Sequence, residues 1–176
     1  MYNFLADYIK QSDMIIDIGA EQGDFTLFCW QTNSNANIYC FEPIQGNIEK
    51  NLNNVENATI IKNLIGNEHI TKKIKTTSYV LSHLVKHEQE IPMVTLDSLH
   101  LTLCDFVKIP KDEHLVIIGA QETIQKFRPV IYVVDKTCES EDIIQQFGYE
   151  IKYVGLNSYI AKPLPLVEPQ EIQSLI

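Results

Sequence analysis

The chain has no excess of basic residues: 14 Lys and Arg face 23 Asp and Glu, a formal net charge of −9. That balance argues against a general nucleic-acid binder, which presents a basic surface, although a local basic groove stays open. Cysteine is sparse. Its positions, Cys29, Cys40, Cys104 and Cys138, are widely separated and form no C-x-x-C pair, so no zinc site is expected. Cys40 and Cys104 fall in predicted strands and read as buried free thiols of a reducing compartment. No apolar run approaches the ~18 residues needed to span a bilayer. The opening Met1-Tyr2-Asn3-Phe4-Leu5 lacks the basic and apolar regions of a secretory leader. The expectation is a soluble, cytoplasmic chain with no membrane partner. Internal repeats and linker-like stretches are also missing. The 176 residues, 45% of them hydrophobic, therefore predict one domain over 1–162 and a proline-punctuated tail over 163–176.

What is present centres on Asp17-Ile18-Gly19-Ala20-Glu21-Gln22-Gly23-Asp24-Phe25-Thr26. The short run Met14-Ile15-Ile16 before it reads as a buried parallel strand. After it, Phe25, Phe28 and Cys29 are spaced as the inner face of a helix. Strand, glycine turn and helix together form the ligand-facing corner of a doubly wound α/β sheet. The dinucleotide fingerprint G-x-G-x-x-G is absent, because the spacing here is G-x-x-x-G and the middle glycine that cradles a pyrophosphate is missing. Asp17, at the strand end, would repel a pyrophosphate but engage an ammonium group, directly or through water. The next strand, Ile38 to Phe41, ends in Glu42-Pro43, where an acid is placed to accept ribose hydroxyls. Two acids and two glycines in this arrangement favour S-adenosylmethionine over NAD. Ligand-free α/β proteins carry similar corners, so the alternative of a purely structural turn stays open.

The remaining chain alternates strands and helices. Residues 2–10 predict a short helix, Asn37 to Phe41 a strand, Pro43 to about Asn53 a helix, and Thr59-Ile60-Ile61 a third strand. Asn63-Leu64-Ile65-Gly66 is expected as a loop above the sheet beside the adenine pocket. Between Asn67 and Glu90, Lys72, Lys73 and Lys75 form either a basic lip or a solvated edge. His83 and His87 are spaced to share a helix face, but no third ligand accompanies them, so no metal is expected. Met93 to Leu96 reads as a strand followed by a turn capped by Asp97 and Ser98. Asp105 to Ile109 is a core strand stopped by Pro110, and Leu115 to Phe127 carries one helical periodicity. Val130 to Val134 is a further strand, Glu139 to Phe147 a helix closed by Gly148, and Tyr149–Val154 with Tyr159–Lys162 a closing hairpin.

The motifs DIGAEQGDFT (17–26), FEP (41–43), VTLDSL (94–99), DFVKI (105–109), IGA (118–120) and RPVIYVV (128–134), in this order, resemble the FkbM family of methyltransferases. The closing FGYEIKYVGLNSYIAKP is similar to that family's last hairpin, and the likeness covers roughly residues 12 to 162. The resemblance implies a Rossmann-like, seven-stranded class I methyltransferase fold with the last strand antiparallel. It implies O-methylation of a sugar, glycan or other small-molecule hydroxyl with S-adenosylmethionine as cofactor. Asp17, Gly19, Ala20, Gly23 and Phe25 would line the methionine end. Glu42 would hold the ribose with Pro43 beside it, and Asn63, Leu64 and Ile65 would flank the adenine. One motif departs. Where the family continues from DFVKI into D-x-E-G, this chain reads Pro110-Lys111-Asp112-Glu113. The acid expected after the RP-containing strand also falls one residue late, at Asp135. Lys108, Asp112, Glu113 and His114 are then the candidate catalytic residues. A catalytically silent binding or partner subunit is the competing expectation, and a nucleic-acid methyltransferase, disfavoured by charge, is the third.

Overall fold

The computed structural model describes residues 2–44, 47–80, 83–110, 113–134 and 140–166. In chain order its elements are α1 (Ala6–Lys10), β1 (Met14–Ile18), α2 (Asp24–Thr32), β2 (Asn37–Phe41), α3 (Asn47–Asn51), β3 (Ala58–Ile61), β4 (Leu64–Ile65), β5 (Ile70–Val80) and β6 (His83–Val94). They continue with β7 (Phe106–Ile109), α4 (Glu113–Ile118), α5 (Gln121–Phe127), β8 (Val130–Val133), α6 (Glu141–Gln146), β9 (Tyr149–Tyr153) and β10 (Tyr159–Pro163). A seven-stranded sheet has the order β3-β2-β1-β7-β8-β10-β9. The pairs β1–β2, β1–β7, β2–β3 and β7–β8 are parallel, while β10 runs antiparallel to both β8 and β9. This is the α/β, Rossmann-like arrangement expected of the class I methyltransferase fold.

Alternation along the strands divides the core into two layers. Ile16, Ile18, Val107 and Ile109 face the layer that holds Val116, Ile117, Ile124 and Ile144 of α4, α5 and α6. Ile15 and Phe106 face the opposite layer, with Ile9, Phe25, Cys29 and Ile48 of α1, α2 and α3 and Leu52 just after α3. Helices therefore cover both faces, and strands buried throughout, such as Phe106–Ile109, are what such a double covering requires. Asp105, just before β7, clamps the start of β1 by accepting the backbone N–H groups of Asp13 and Met14 at 2.8 and 2.9 Å.

Several local expectations are corrected. Pro43 and Ile44, expected to open a helix, form a bend before α3, and Leu64–Ile65, expected as a loop, pairs with Met93–Val94 in a second sheet ordered β4-β6-β5. His83 and His87 lie on strand β6, not on a helix. Strand β6 ends at Val94 rather than Leu96, and Cys104 precedes β7 instead of lying in a strand, though it is buried. The single periodicity from Leu115 to Phe127 is two helices. They break at Gly119, where a Cβ would stand 1.9 Å from the Gly66 carbonyl oxygen, so only glycine lets the two backbones cross. Asp97 caps the second helix, accepting the N–H groups of Glu122 and Thr123 at 3.1 and 2.8 Å.

Candidate functional site

The strand order reverses between β1 and β7, and ligands in open α/β sheets bind outside the carboxyl ends of the strands at such a reversal. The turn after β1 and the chain leaving β7 meet there. Gly19 has φ +63, in the left-handed region that a side chain disfavours. Its N–H and that of Ala20 both donate to the Phe41 carbonyl, at 2.8 and 3.2 Å, which ties the turn to the end of β2.

Beneath the turn lies a buried ion pair. Asp17 and Lys108 are register partners on adjacent strands, so both side chains emerge on the α2 face. Asp17 is fully buried, accepting from Thr26 Oγ1 at 2.7 Å and from Lys108 Nζ at 2.8 Å. Lys108 Nζ also donates to the carbonyls of Ile18 and Gly19, at 3.2 and 2.9 Å. Its three donors are thus all engaged, and the ammonium that Asp17 holds belongs to this chain's own lysine. The Phe25 ring lies 5.7 Å from Nζ, adding a cation–π contact. Thr26 Oγ1 is 3.1 Å from Cys40 Sγ, and burial, then the charge of Asp17, pushes the Cys40 thiol up to about 12.

Two cavities open on either side of the Gly19 turn. The first, about 160 Å³, is walled by apolar groups, among them Phe41, Pro43, Leu64, Ile65, Met93 and Val116, with Asn63 and Lys72 at its polar margin. The second, about 380 Å³, lies over Ala20, Phe25 and Lys108, with Tyr2, Glu21 and Asp24 around it. Gly19 and Pro110 border both. Burial, followed by the charges of Asp17 and Asp24, pushes the Tyr2 phenol above its usual range, so it faces the cavity as a neutral hydroxyl.

The expected site residues distribute unevenly over this geometry. Gly19, Pro43, Asn63, Leu64 and Ile65 line the first cavity; Gly19, Ala20, Phe25 and Lys108 line the second. Asp17 lies below them, and Gly23 serves as the N-cap of α2. Glu42 is 6% exposed and appears in neither lining: its two oxygens accept the N–H groups of Glu21 and Ile44, each at 2.8 Å. An ionised carboxylate has about four lone-pair sites, so acceptor capacity remains. His114 Nδ1 is buried and has no partner among the described residues. Glu113 opens α4, while Asp112, Asp135 and Cys138 lie outside the described residues. Of the three lysines, Lys72 reaches the first cavity; Lys73 and Lys75 pair with Glu90 and Glu88 across the hairpin, each at 3.8 Å. Sequence reasoning missed Tyr2, Glu21 and Asp24 at the second cavity and Met93 and Val116 at the first. Glu21 and Asp24 stand inside the glycine motif and were findable there. Tyr2, Met93 and Val116 arrive from elements whose docking no local pattern reveals.

Among the described residues, no group of three or more His, Cys, Asp or Glu is arranged to hold a metal, and no helix is long and apolar enough to cross a membrane.

No protein-family model and no curated protein matches the chain. Solved structures do. A methyltransferase FkbM from Methylobacillus flagellatus KT is 15% identical with a TM-score of 0.61, over 85% of this chain and 43% of that one. A precorrin-6y C5,15-methyltransferase from Geobacter metallireducens GS-15 is 16% identical with a TM-score of 0.60, over 92% of this chain and 86% of that one. M. capricolum TrmK, in complex with S-adenosyl-homocysteine, is 15% identical with a TM-score of 0.55, over 97% of this chain and 72% of that one. These likenesses establish the fold. The chain spans less than half the length of the FkbM structure.

Proposed function

We propose that this chain, a compact and divergent relative of the FkbM methyltransferases, binds S-adenosylmethionine and transfers its methyl group to a hydroxyl of a sugar, glycan or other small molecule. The observation that carries the proposal is the pair of cavities at the strand-order reversal, one apolar and one of mixed polarity, both bordered by Gly19. Their chemistry fits the two ends of that cofactor. The adenine suits the apolar chamber beside Pro43, Asn63, Leu64 and Ile65, and Glu42 offers the ribose its remaining acceptor sites. The amino-acid end suits the second chamber over Ala20 and Phe25. When bound, the cofactor supplies an electrophilic methyl group on a sulfonium.

The chain's own residues then orient donor and acceptor. Well-oriented reactants gain about 7–11 kcal/mol from positioning alone, whereas a general base adds about 10²–10⁴-fold. Lys108, with its donors committed, acts as a positioning residue that fixes the glycine turn above Asp17. Asp112, Glu113 and His114 follow the end of β7 and are the proposed sources of a base. One domain over 1–162, a cytoplasmic setting and an acceptor that is not nucleic acid complete the reading. The net charge of −9 and the free thiols at Cys29, Cys40 and Cys104 support the last two.

Calorimetry with S-adenosylmethionine, followed by a methyl-donor turnover screen on sugars and nucleotides, tests this. Binding with transfer to a sugar hydroxyl is the expected result, and absence of binding overturns the proposal. Binding without any turnover would favour the second reading, a silent binding subunit, which the proline at the end of β7 supports.

A further inference from the structure

The contact between Gly19 and Pro110 has a functional reading of its own. Gly19 follows β1 and Pro110 follows β7, the two strands that flank the reversal in strand order. A Cβ placed on Gly19 would lie 3.0 Å from Pro110 Cγ and 3.2 Å from Pro110 Cβ. The face of the glycine that a ligand could use for close approach is therefore already covered, and the proline ring covers it. The ring is also held firmly. Its φ is fixed by its own pyrrolidine, it keeps Ile109 extended, and the Ile109 carbonyl accepts the Val134 N–H at 2.9 Å. Both cavities border Gly19 and Pro110, so this contact is common to the two linings. Small-ligand sites span about 300–1,000 Å³. The first cavity, at about 160 Å³, falls below that range, and the second, at about 380 Å³, sits at its lower end.

We infer that Pro110 partitions the cleft into a nucleoside chamber and an amino-acid chamber, so that a molecule occupying both must displace the proline ring from Gly19. The inference rests on the cofactor proposed above. It makes Pro110 a determinant of ligand choice: a nucleoside enters from the side of the apolar chamber without moving the ring, while the nucleoside–amino-acid conjugate meets an added cost at the partition. A conjugate normally gains over its fragments because binding one end presents the other at high effective concentration. Here the wild-type chain forfeits most of that gain, and removing the ring restores it.

The test is calorimetric titration of the full chain with adenosine and with S-adenosyl-homocysteine, using wild type, Pro110→Gly and Pro110→Ala. Thermal melts check that each variant is folded. The alanine variant removes Cγ and Cδ with a smaller gain in backbone freedom, so it serves if the glycine variant does not fold. The expected result is that adenosine affinity changes by less than about twofold while S-adenosyl-homocysteine affinity rises about tenfold or more. A ratio of the two affinities that neither substitution alters overturns the partition and leaves the proposed cofactor standing. Failure of every form to bind either ligand overturns the partition together with the proposed cofactor.

Discussion

The two chambers beside Gly19 are built on different principles. The first gathers apolar side chains from distant elements, Phe41 of β2, Met93 of β6 and Val116 of α4. The second stands on the glycine turn itself, and the turn stands on one buried ion pair, Asp17 with Lys108. Many small contributions hold the first, and a loss at any one is shared among its neighbours. A few polar contacts hold the second, and each is costly to remove because its partner remains buried.

The largest effect is therefore expected beneath the second chamber. Lys108→Met leaves Asp17 buried without its cation, and breaking such a pair costs about 3–5 kcal/mol. Urea denaturation should show the loss, and the double variant Asp17→Asn with Lys108→Met should recover part of it. A loss near zero in the single variant would remove the ion pair from its supporting role.

The next effect lies where the chambers meet β2. Hydrogen bonds to a charged group contribute about 1.5–3 kcal/mol each, so Glu42→Ala should weaken adenosine binding at least about tenfold. Adenine, which has no ribose, should bind the variant and wild type alike. Equal losses for both ligands would mean that Glu42 only braces the backbone of Glu21 and Ile44.

A smaller effect is expected in alkali. Burial raises the thiols of Cys40 and Cys104 from the usual 9.0 to about 12. A folded-state value above the unfolded one stabilises fully below the unfolded pKa, and that stabilisation is lost as pH rises from about 9 through about 12. At about pH 10 each thiol should account for on the order of 1 kcal/mol of lost stability. Comparing wild type with Cys40→Ala and Cys104→Ala across this window measures it, and parallel pH profiles would refute it.

The smallest effect serves as a control on the comparison. Asp97→Ala removes the cap of α5 and should cost about 1 kcal/mol by thermal or urea unfolding. Adenosine binding should not change, because α4 rather than α5 walls the first chamber.

How far the fold was legible depends on how local its causes are. The corner from β1 through Gly19 to α2 could be read directly, since an apolar run, two glycines and a helical spacing are contiguous. Strand β2 was placed at Asn37–Phe41, and the hairpin of β9 and β10 was foreseen from its turn residues. The β5–β6 hairpin was not read, although Ile70, Thr71, Ile74, Thr76, Thr77 and Val80 supply a β-branched enrichment that offered a signal. Pro92, which pairs with Thr71 inside β6, obscured it by its usual exclusion from strands. The split between α4 and α5 had no comparable local cause. It follows from the Gly66 carbonyl pressing on Gly119 and from Asp97 capping the second helix.

The sequence by itself determined the core strands β1, β2, β3, β7 and β8, the closing hairpin, the glycine turn, and the acids that end β1 and β2. Periodicity and turn chemistry act between near neighbours, and a reader of one chain can follow them. The tertiary structure alone decided that Lys108 satisfies Asp17, that Glu42 braces two backbone amides, and that Pro110 covers Gly19 between two cavities. Apart from Glu42 with Ile44, those contacts join residues far apart in the chain, and their geometry exists only once β1 lies in register between β2 and β7.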